Sequence, residues 1–273
     1  MMLRSLVFAV ALGSMTIAGP AVAQSTPAPV QPTAQPPAAQ TTPVPAAASE
    51  LPDAPSTTAN VKPPPVPTGP NVVIDTSMGR IACKLFDKIA PVASANFIGL
   101  ADGTKDWIEN TTDKKVHGQP FYNGTTFHRV IPGFMIQGGD RLGTGLGDAG
   151  YYFANETDPS LNFDVPGRLA MANAGLGPNG TGTNGSQFFI TEAPQPDLNG
   201  GYTIFGQCDE HSVLIVATIA RVDRDSNDKP LSPVTINRIY VLRDGDAPLP
   251  AAPASPATDL LVAHPPATTA PPK

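Results

Sequence analysis

From residue 72 to residue 86 two β-rich runs stand on either side of a short, mostly polar turn, and the second follows the period of extended chain. Val72-Val73-Ile74-Asp75-Thr76 and Ile81-Ala82-Cys83-Lys84-Leu85-Phe86 flank Ser77-Met78-Gly79-Arg80. Two β-rich runs about a glycine-containing turn predict a hairpin, with Ile81, Cys83 and Leu85 on one face. At Pro91 the period lengthens: Ala93, Phe97 and Leu100 recur at i, i+4 and i+7, with Pro91 as a starter and Gly103 as a stop, which predicts a helix. Residues 104–123 show no period and predict a long loop, with Trp107 as its one large anchor. Short β-rich runs follow at 126–131, 134–137, 169–172, 187–191 and 202–207, separated by glycine-rich turns. A second helix is expected over 213–220, where Val213, Val216, Ala217 and Ala220 share a face. A last strand is expected over 234–243, alternating Ile236, Arg238, Tyr240 and Leu242. Many short strands, two helices and no βαβ alternation predict a mainly β protein: a closed barrel with helices packed on it.

Composition sets the limits of that domain. The chain has 273 residues and 33 prolines, and the prolines crowd into 24–70 and 246–273. Those two segments are Ala, Pro, Thr, Gln and Ser with few large apolar side chains, so they cannot bury enough surface to offset ordering entropy. They read as stiff, extended, disordered spacers. Residues 71–245 are ordinary in proline and long enough for one domain with its own core.

Residues 1–23 read as a signal peptide. Arg4 supplies the positive start, an apolar run covers 6–18, and Ala21-Val22-Ala23 has the small-x-small cleavage pattern. The run is shorter than the roughly 20 residues needed to span a bilayer, so no stable membrane insertion is expected after cleavage. The mature chain should begin near Gln24 and work in the periplasm or outside the cell. Cys83 and Cys208 then enter an oxidising compartment; their spacing leaves a disulfide and two buried thiols both open. A net charge of −6 excludes the Lys/Arg surface that nucleic-acid binding requires.

Several motifs fail on context. Gly145-Leu146-Gly147-Asp148-Ala149-Gly150 and Gly175-Leu176-Gly177-Pro178-Asn179-Gly180 both fit the G-x-G-x-x-G spacing. Neither opens a helix after a strand, so neither offers a pyrophosphate site. Ser186 is outside a nucleophile elbow, and His117, His128, His211 and His264 lack metal-ligand spacing. No metal or cofactor is expected.

One stretch stands apart: Phe127-His128-Arg129-Val130-Ile131-Pro132-Gly133-Phe134-Met135-Ile136-Gln137-Gly138-Gly139-Asp140. On short strands these residues would put one cation beside a large apolar surface. With Met171-Ala172-Asn173-Ala174-Gly175, Thr183-Asn184-Gly185-Ser186-Gln187-Phe188-Phe189-Ile190-Thr191 and Tyr202-Thr203-Ile204-Phe205-Gly206, it resembles the signature of the cyclophilin-type peptidyl-prolyl isomerases, in order and across roughly 72–243. The resemblance implies a closed eight-stranded antiparallel barrel capped by two helices, with a groove on its outer face, in a monomer that acts on Pro-containing polypeptides. It implies Arg129 as the catalytic residue, and Phe134, Met135 and Phe189 around the substrate ring with Leu198 and Tyr202 at the rim. Gln137, Gln187, Asn173 and Ala172 would hold the peptide backbone, and His128 would border the groove.

Three positions depart from the family pattern. Asp197 stands where many cyclophilins carry Trp or His, which should weaken cyclosporin binding without abolishing catalysis. About six residues are inserted between Gly175 and Thr183, beside the groove. The 104–123 loop is longer than in compact members. Two rival readings remain: a non-catalytic module that holds Pro-containing segments, and a spacer protein whose flanks are the active part.

Overall fold

The computed structural model describes residues 64–249 apart from 178, 179, 244 and 248. All of these lie in Thr58–Lys273, the second of two units of the chain; the first is Met1–Thr57. The expected signal peptide, most of the 24–70 spacer and nearly all of the 246–273 tail are therefore outside the described residues.

Among the described residues ten strands and two α-helices follow in order: β1 (Asn71–Thr76), β2 (Gly79–Leu85), α1 (Pro91–Asp102), β3 (Trp107–Glu109), β4 (Lys114–Val116), β5 (Arg129–Ile131), β6 (Met135–Gly138), β7 (Arg168–Met171), β8 (Phe188–Thr191), β9 (Ile204–Cys208), α2 (Glu210–Ala220) and β10 (Ile236–Leu242). Eight strands form one antiparallel sheet in the order β10-β1-β2-β9-β7-β8-β6-β5. The expected spacer ends inside this domain, because Gly69 N–H donates to Leu85 O at 2.9 Å and Leu85 N–H to Pro70 O at 3.1 Å.

The barrel does not close as expected; it is a half-barrel whose ladder stays open between β5 and β10. The outer edge of β5 is occupied by a loop: Val130 N–H donates to Asp228 O at 2.8 Å. Just before β5 the chain meets the β10 side outside any strand ladder: Thr126 and Thr235 form an isolated bridge, Phe127 N–H donates to Val234 O at 3.0 Å, Gly124 N–H to Ile236 O at 2.8 Å and Ile236 N–H to Thr125 O at 2.8 Å. Pro233, just before that bridge, has no N–H to extend it.

The inner face packs Val72, Ile74, Ile81, Leu85, Phe97, Tyr122, Phe127, Phe188 and Phe205, all essentially inaccessible. Phe97 on α1 sits 4.9 Å from Tyr122, 5.3 Å from Phe188 and 5.2 Å from Phe205 by ring centroids. This helix runs as expected from Pro91 and ends at Gly103, whose φ of 75° is left-handed. A Cβ there would lie 2.6 Å from the Gln119 carbonyl carbon, so glycine is needed for both reasons. Its N-terminus has no local cap; Glu156 reaches in from another loop and accepts from Val92 N–H at 3.0 Å and Ala93 N–H at 2.8 Å. α2 begins earlier than the apolar pattern indicates, at Glu210, because Asp209 caps it by accepting from Ser212 N–H at 2.7 Å.

The 104–123 segment is not wholly loop. β3 and β4 make a separate two-stranded hairpin in it. Trp107 anchors that hairpin, buried 5.2 Å from Phe121 with Nε1 donating to Gln119 O at 3.0 Å. Cys83 and Cys208 stand directly opposite in the β2–β9 ladder and are joined by a disulfide.

Candidate active site

Alternation gives three strands two apolar faces. Ile136, Phe188, Ile190, Leu169 and Met171 belong to the inner core, whereas Met135, Phe189 and Ala170, one residue away on the same strands, belong to an outer cluster. The outer cluster adds Phe86, Leu161, Phe163 and Ile204, with Phe134, Ala172, Leu198 and Tyr202 packed at its edge. Strand register then aligns the chemistry. Arg129 is opposite Gln137, Gln137 is opposite Phe189, and Phe189 is opposite Ala170. One row across four neighbouring strands thus carries a cation, an amide, an aromatic ring and a small residue.

A cavity of about 120 Å³ opens over this row, lined by Arg129, Phe134, Met135, Gln137, Ala172, Asn173, Phe189, Leu198 and Tyr202. That space suits a small apolar ring. Phe163, buried beneath it, stacks on Phe189 at 5.8 Å, and Tyr202 stands edge-on to Phe163 at 6.5 Å and to Phe189 at 5.4 Å. The Phe134 turn is held from below: Gly133 N–H donates to Glu192 Oε2 at 2.8 Å and Gln195 Nε2 donates to Gly133 O at 2.9 Å. Glu192 is itself gripped at 2.5 Å by Arg221, the residue following α2. Leu198 ends a short 3₁₀ turn, Pro196–Leu198, and the next residue, Asn199, accepts from Phe163 N–H at 2.8 Å.

A second cavity of about 400 Å³ shares Gln137, Ala172 and Asn173 with the first and extends along Gly145, Leu146, Gly147, Asp148, Tyr152, Ala174, Thr183 and Gln187. Near its margin Leu176 and Gly182 form an isolated bridge, and the flanking residues Ala174 and Thr183 line the wall. Gln187 accepts from Gln137 Nε2 at 2.9 Å and donates to Gly145 O at 2.9 Å and Gly147 O at 2.8 Å. Those two carbonyls belong to a loop organised by Asp140, whose carboxylate accepts from Leu142 N–H at 2.7 Å, Thr144 N–H at 2.9 Å and Gly145 N–H at 2.6 Å. A side chain at Gly147 would collide with that carboxylate. Burial pushes the Asp140 carboxyl up, but the converging N–H groups outweigh it and hold it below the ordinary range.

Nine of the eleven residues expected at the site therefore line the first cavity. Gln187 lines only the second. His128 lines neither: it is buried, and neither ring nitrogen has a hydrogen-bond partner. Burial holds its imidazole below the ordinary range, with Asp140 opposing that and Lys229 and Arg129 adding to it. Its backbone N–H donates to Gln137 O at 3.0 Å, and its ring stands close to Gly145, a residue in the wall of the second cavity. Phe163, Glu192 and Asp140 support the site without having been expected there. Arg129 also has a neighbour outside the signature, with Nε 3.8 Å from Asp228 Oδ2.

Residues 71–241 match the family model for the cyclophilin type peptidyl-prolyl cis-trans isomerases. Among relatives, the chain is 50% identical over 169 residues to peptidyl-prolyl cis-trans isomerase A of Mycobacterium tuberculosis, covering 62% of this chain and 90% of that one. It is 44% identical over 170 residues to peptidyl-prolyl cis-trans isomerase B of Streptomyces anulatus, covering 62% and 94%. Its structure is similar to that of a cyclophilin type isomerase of Cryptosporidium parvum determined in the presence of the dipeptide Ala-Pro, with a TM-score of 0.53, 36% identity and coverage of 64% and 99%. A signature carried in order, a half-barrel with its outer-face cleft and a family match over most of the described residues lead to one conclusion: this chain belongs to the cyclophilin-type peptidyl-prolyl cis-trans isomerases.

Proposed function

We propose that the chain accelerates X–Pro rotation in exported polypeptides as they fold, with Arg129 as the catalytic residue. Rotation about the amide crosses a barrier of about 18–20 kcal/mol because resonance gives the C–N bond double-bond character. Uncatalysed, it takes tens to hundreds of seconds and can limit folding. No covalent bond breaks, so a catalyst has only to favour the twisted amide over both planar isomers. As resonance is lost the prolyl nitrogen recovers its lone pair, and a guanidinium directed at that nitrogen meets charge present only in the twisted state. Arg suits this task, being permanently charged with donors fixed in a fork. Phe134, Met135 and Phe189 would grip the ring while Gln137, Gln187, Asn173 and Ala172 hold the backbone, leaving the preceding carbonyl free to swing.

The observation that carries this reading is the row Arg129–Gln137–Phe189–Ala170, which sets one cation against an apolar cleft. The Ala-Pro dipeptide of the Cryptosporidium structure supports Pro-containing substrates here as well. Arg129→Ala should slow isomerisation of a short X–Pro peptide by about a hundred-fold or more while peptide binding survives. Unchanged turnover would falsify the assignment, and an inactive wild type that still binds Pro peptides would favour the non-catalytic module. Export rests on the Arg4 start, the apolar run and Ala21-Val22-Ala23. Expressed in a bacterium, the chain should be recovered outside the cytoplasm with a mass beginning at or near Gln24.

A further inference from the structure

Arg129 enters the cleft from β5, the last strand of the sheet, and 43% of its side chain is exposed. A long side chain so placed has many rotamers to give up each time it engages a substrate. Its Nε edge, however, faces a carboxylate: Asp228 Oδ2 lies 3.8 Å away, and the other oxygen, Oδ1, lies 3.2 Å from Arg224 Nε. One acid therefore stands between two guanidinium groups. With Nε turned to Asp228, the terminal nitrogens of Arg129 remain for the cleft that it lines.

Asp228 is held firmly for this. Its N–H donates to Asp225 O at 3.1 Å and its carbonyl accepts from Val130 N–H at 2.8 Å, one residue along β5 from Arg129. Its φ of 63° is left-handed, a conformation that glycine takes without strain and Asp takes at some cost. The turn by itself would be served better by glycine, so the carboxylate is an addition that the backbone does not require.

We propose that Asp228 is a positioning residue for Arg129: it holds the guanidinium by its Nε edge and separates it from the like charge of Arg224, so that the fork is already aimed when an X–Pro bond arrives. This rests on the isomerase reading with Arg129 as the catalytic group. Asp228→Asn in the full chain should lower kcat on a short X–Pro peptide about five-fold, the scale of one exposed ion pair, with KM changed less than about two-fold and an unchanged melting temperature. The Arg129 Nε–H NMR resonance, identified by its loss in Arg129→Ala, should exchange faster with water in Asp228→Asn. Asp228→Gly fits the left-handed backbone and should show the same kinetic loss with equal or greater stability. If both Asp228 variants turn over like wild type while Arg129→Ala is slow, Asp228 has no positioning role and the isomerase reading stands. Full turnover in Arg129→Ala would remove that reading itself. A loss in Asp228→Asn that Asp228→Gly does not share would trace to backbone fit and overturn the proposal.

Discussion

Asp140 and His128 are both buried near the groove, and both resist protonation. The carboxylate of Asp140 collects backbone N–H groups from the turn that follows it, while the imidazole of His128 is kept neutral chiefly by burial. Both groups have lowered values in the folded state, so unfolding takes up protons and stability falls as pH falls. For His128 the loss begins near its ordinary value of 6.5 and continues as pH drops through the lowered folded value. Melting temperatures at pH 7.5 and 5.5 should therefore differ in the wild type, and His128→Gln should flatten that interval. For Asp140 the corresponding loss lies below its ordinary value of 3.8. Asp140→Asn should destabilise by about 1–3 kcal/mol at neutral pH, since an amide cannot satisfy the same donors. The signature residues were legible at this scale because they stand in long runs. Phe163 was not, since it lies in a stretch without periodicity and reveals itself only by stacking on Phe189. His128 stands in the signature yet is buried and lines neither cavity, which proximity to Arg129 in sequence does not reveal.

At the level of elements, legibility followed length and burial. β2 shows its period because seven residues give room for it, β1 shows instead as a run of β-branched apolar residues, and α1 shows its own because buried Ala93, Phe97 and Leu100 line one side. β3 and β4 have three residues each and one buried side chain between them, Trp107, so no pattern of two can register. The open edge at β5 was equally hidden, because the loop that occupies it is distant in sequence. The 3₁₀ turn Pro196–Leu198 leaves Asp197 exposed immediately before the cleft residue Leu198. Asp197→Trp should restore an indole contact and tighten cyclosporin binding by roughly ten-fold, about 1.4 kcal/mol, with peptide turnover little changed. Titration of intrinsic fluorescence would measure it.

Across the whole molecule, the Cys83–Cys208 disulfide fastens β2 to β9 with a sequence separation of 125. Reduction under native conditions should lower stability by about 2–5 kcal/mol, read from denaturant midpoints with and without reductant. The Pro-rich flanks expected from composition lie almost wholly outside the described residues, and the folded part starts slightly before residue 71, because Gly69 and Pro70 bond to Leu85. The sharing of β6, β7 and β8 between two faces has a thermal consequence. A catalytic surface built on a lid or a tethered loop can melt ahead of its scaffold, and enzymes of that kind lose rate well below the temperature at which they unfold. Here the floor of the cleft is the reverse side of the strands that seal the interior, so neither surface can loosen while the other stays packed. On a temperature ramp, catalytic inactivation and global unfolding should superimpose as a single transition.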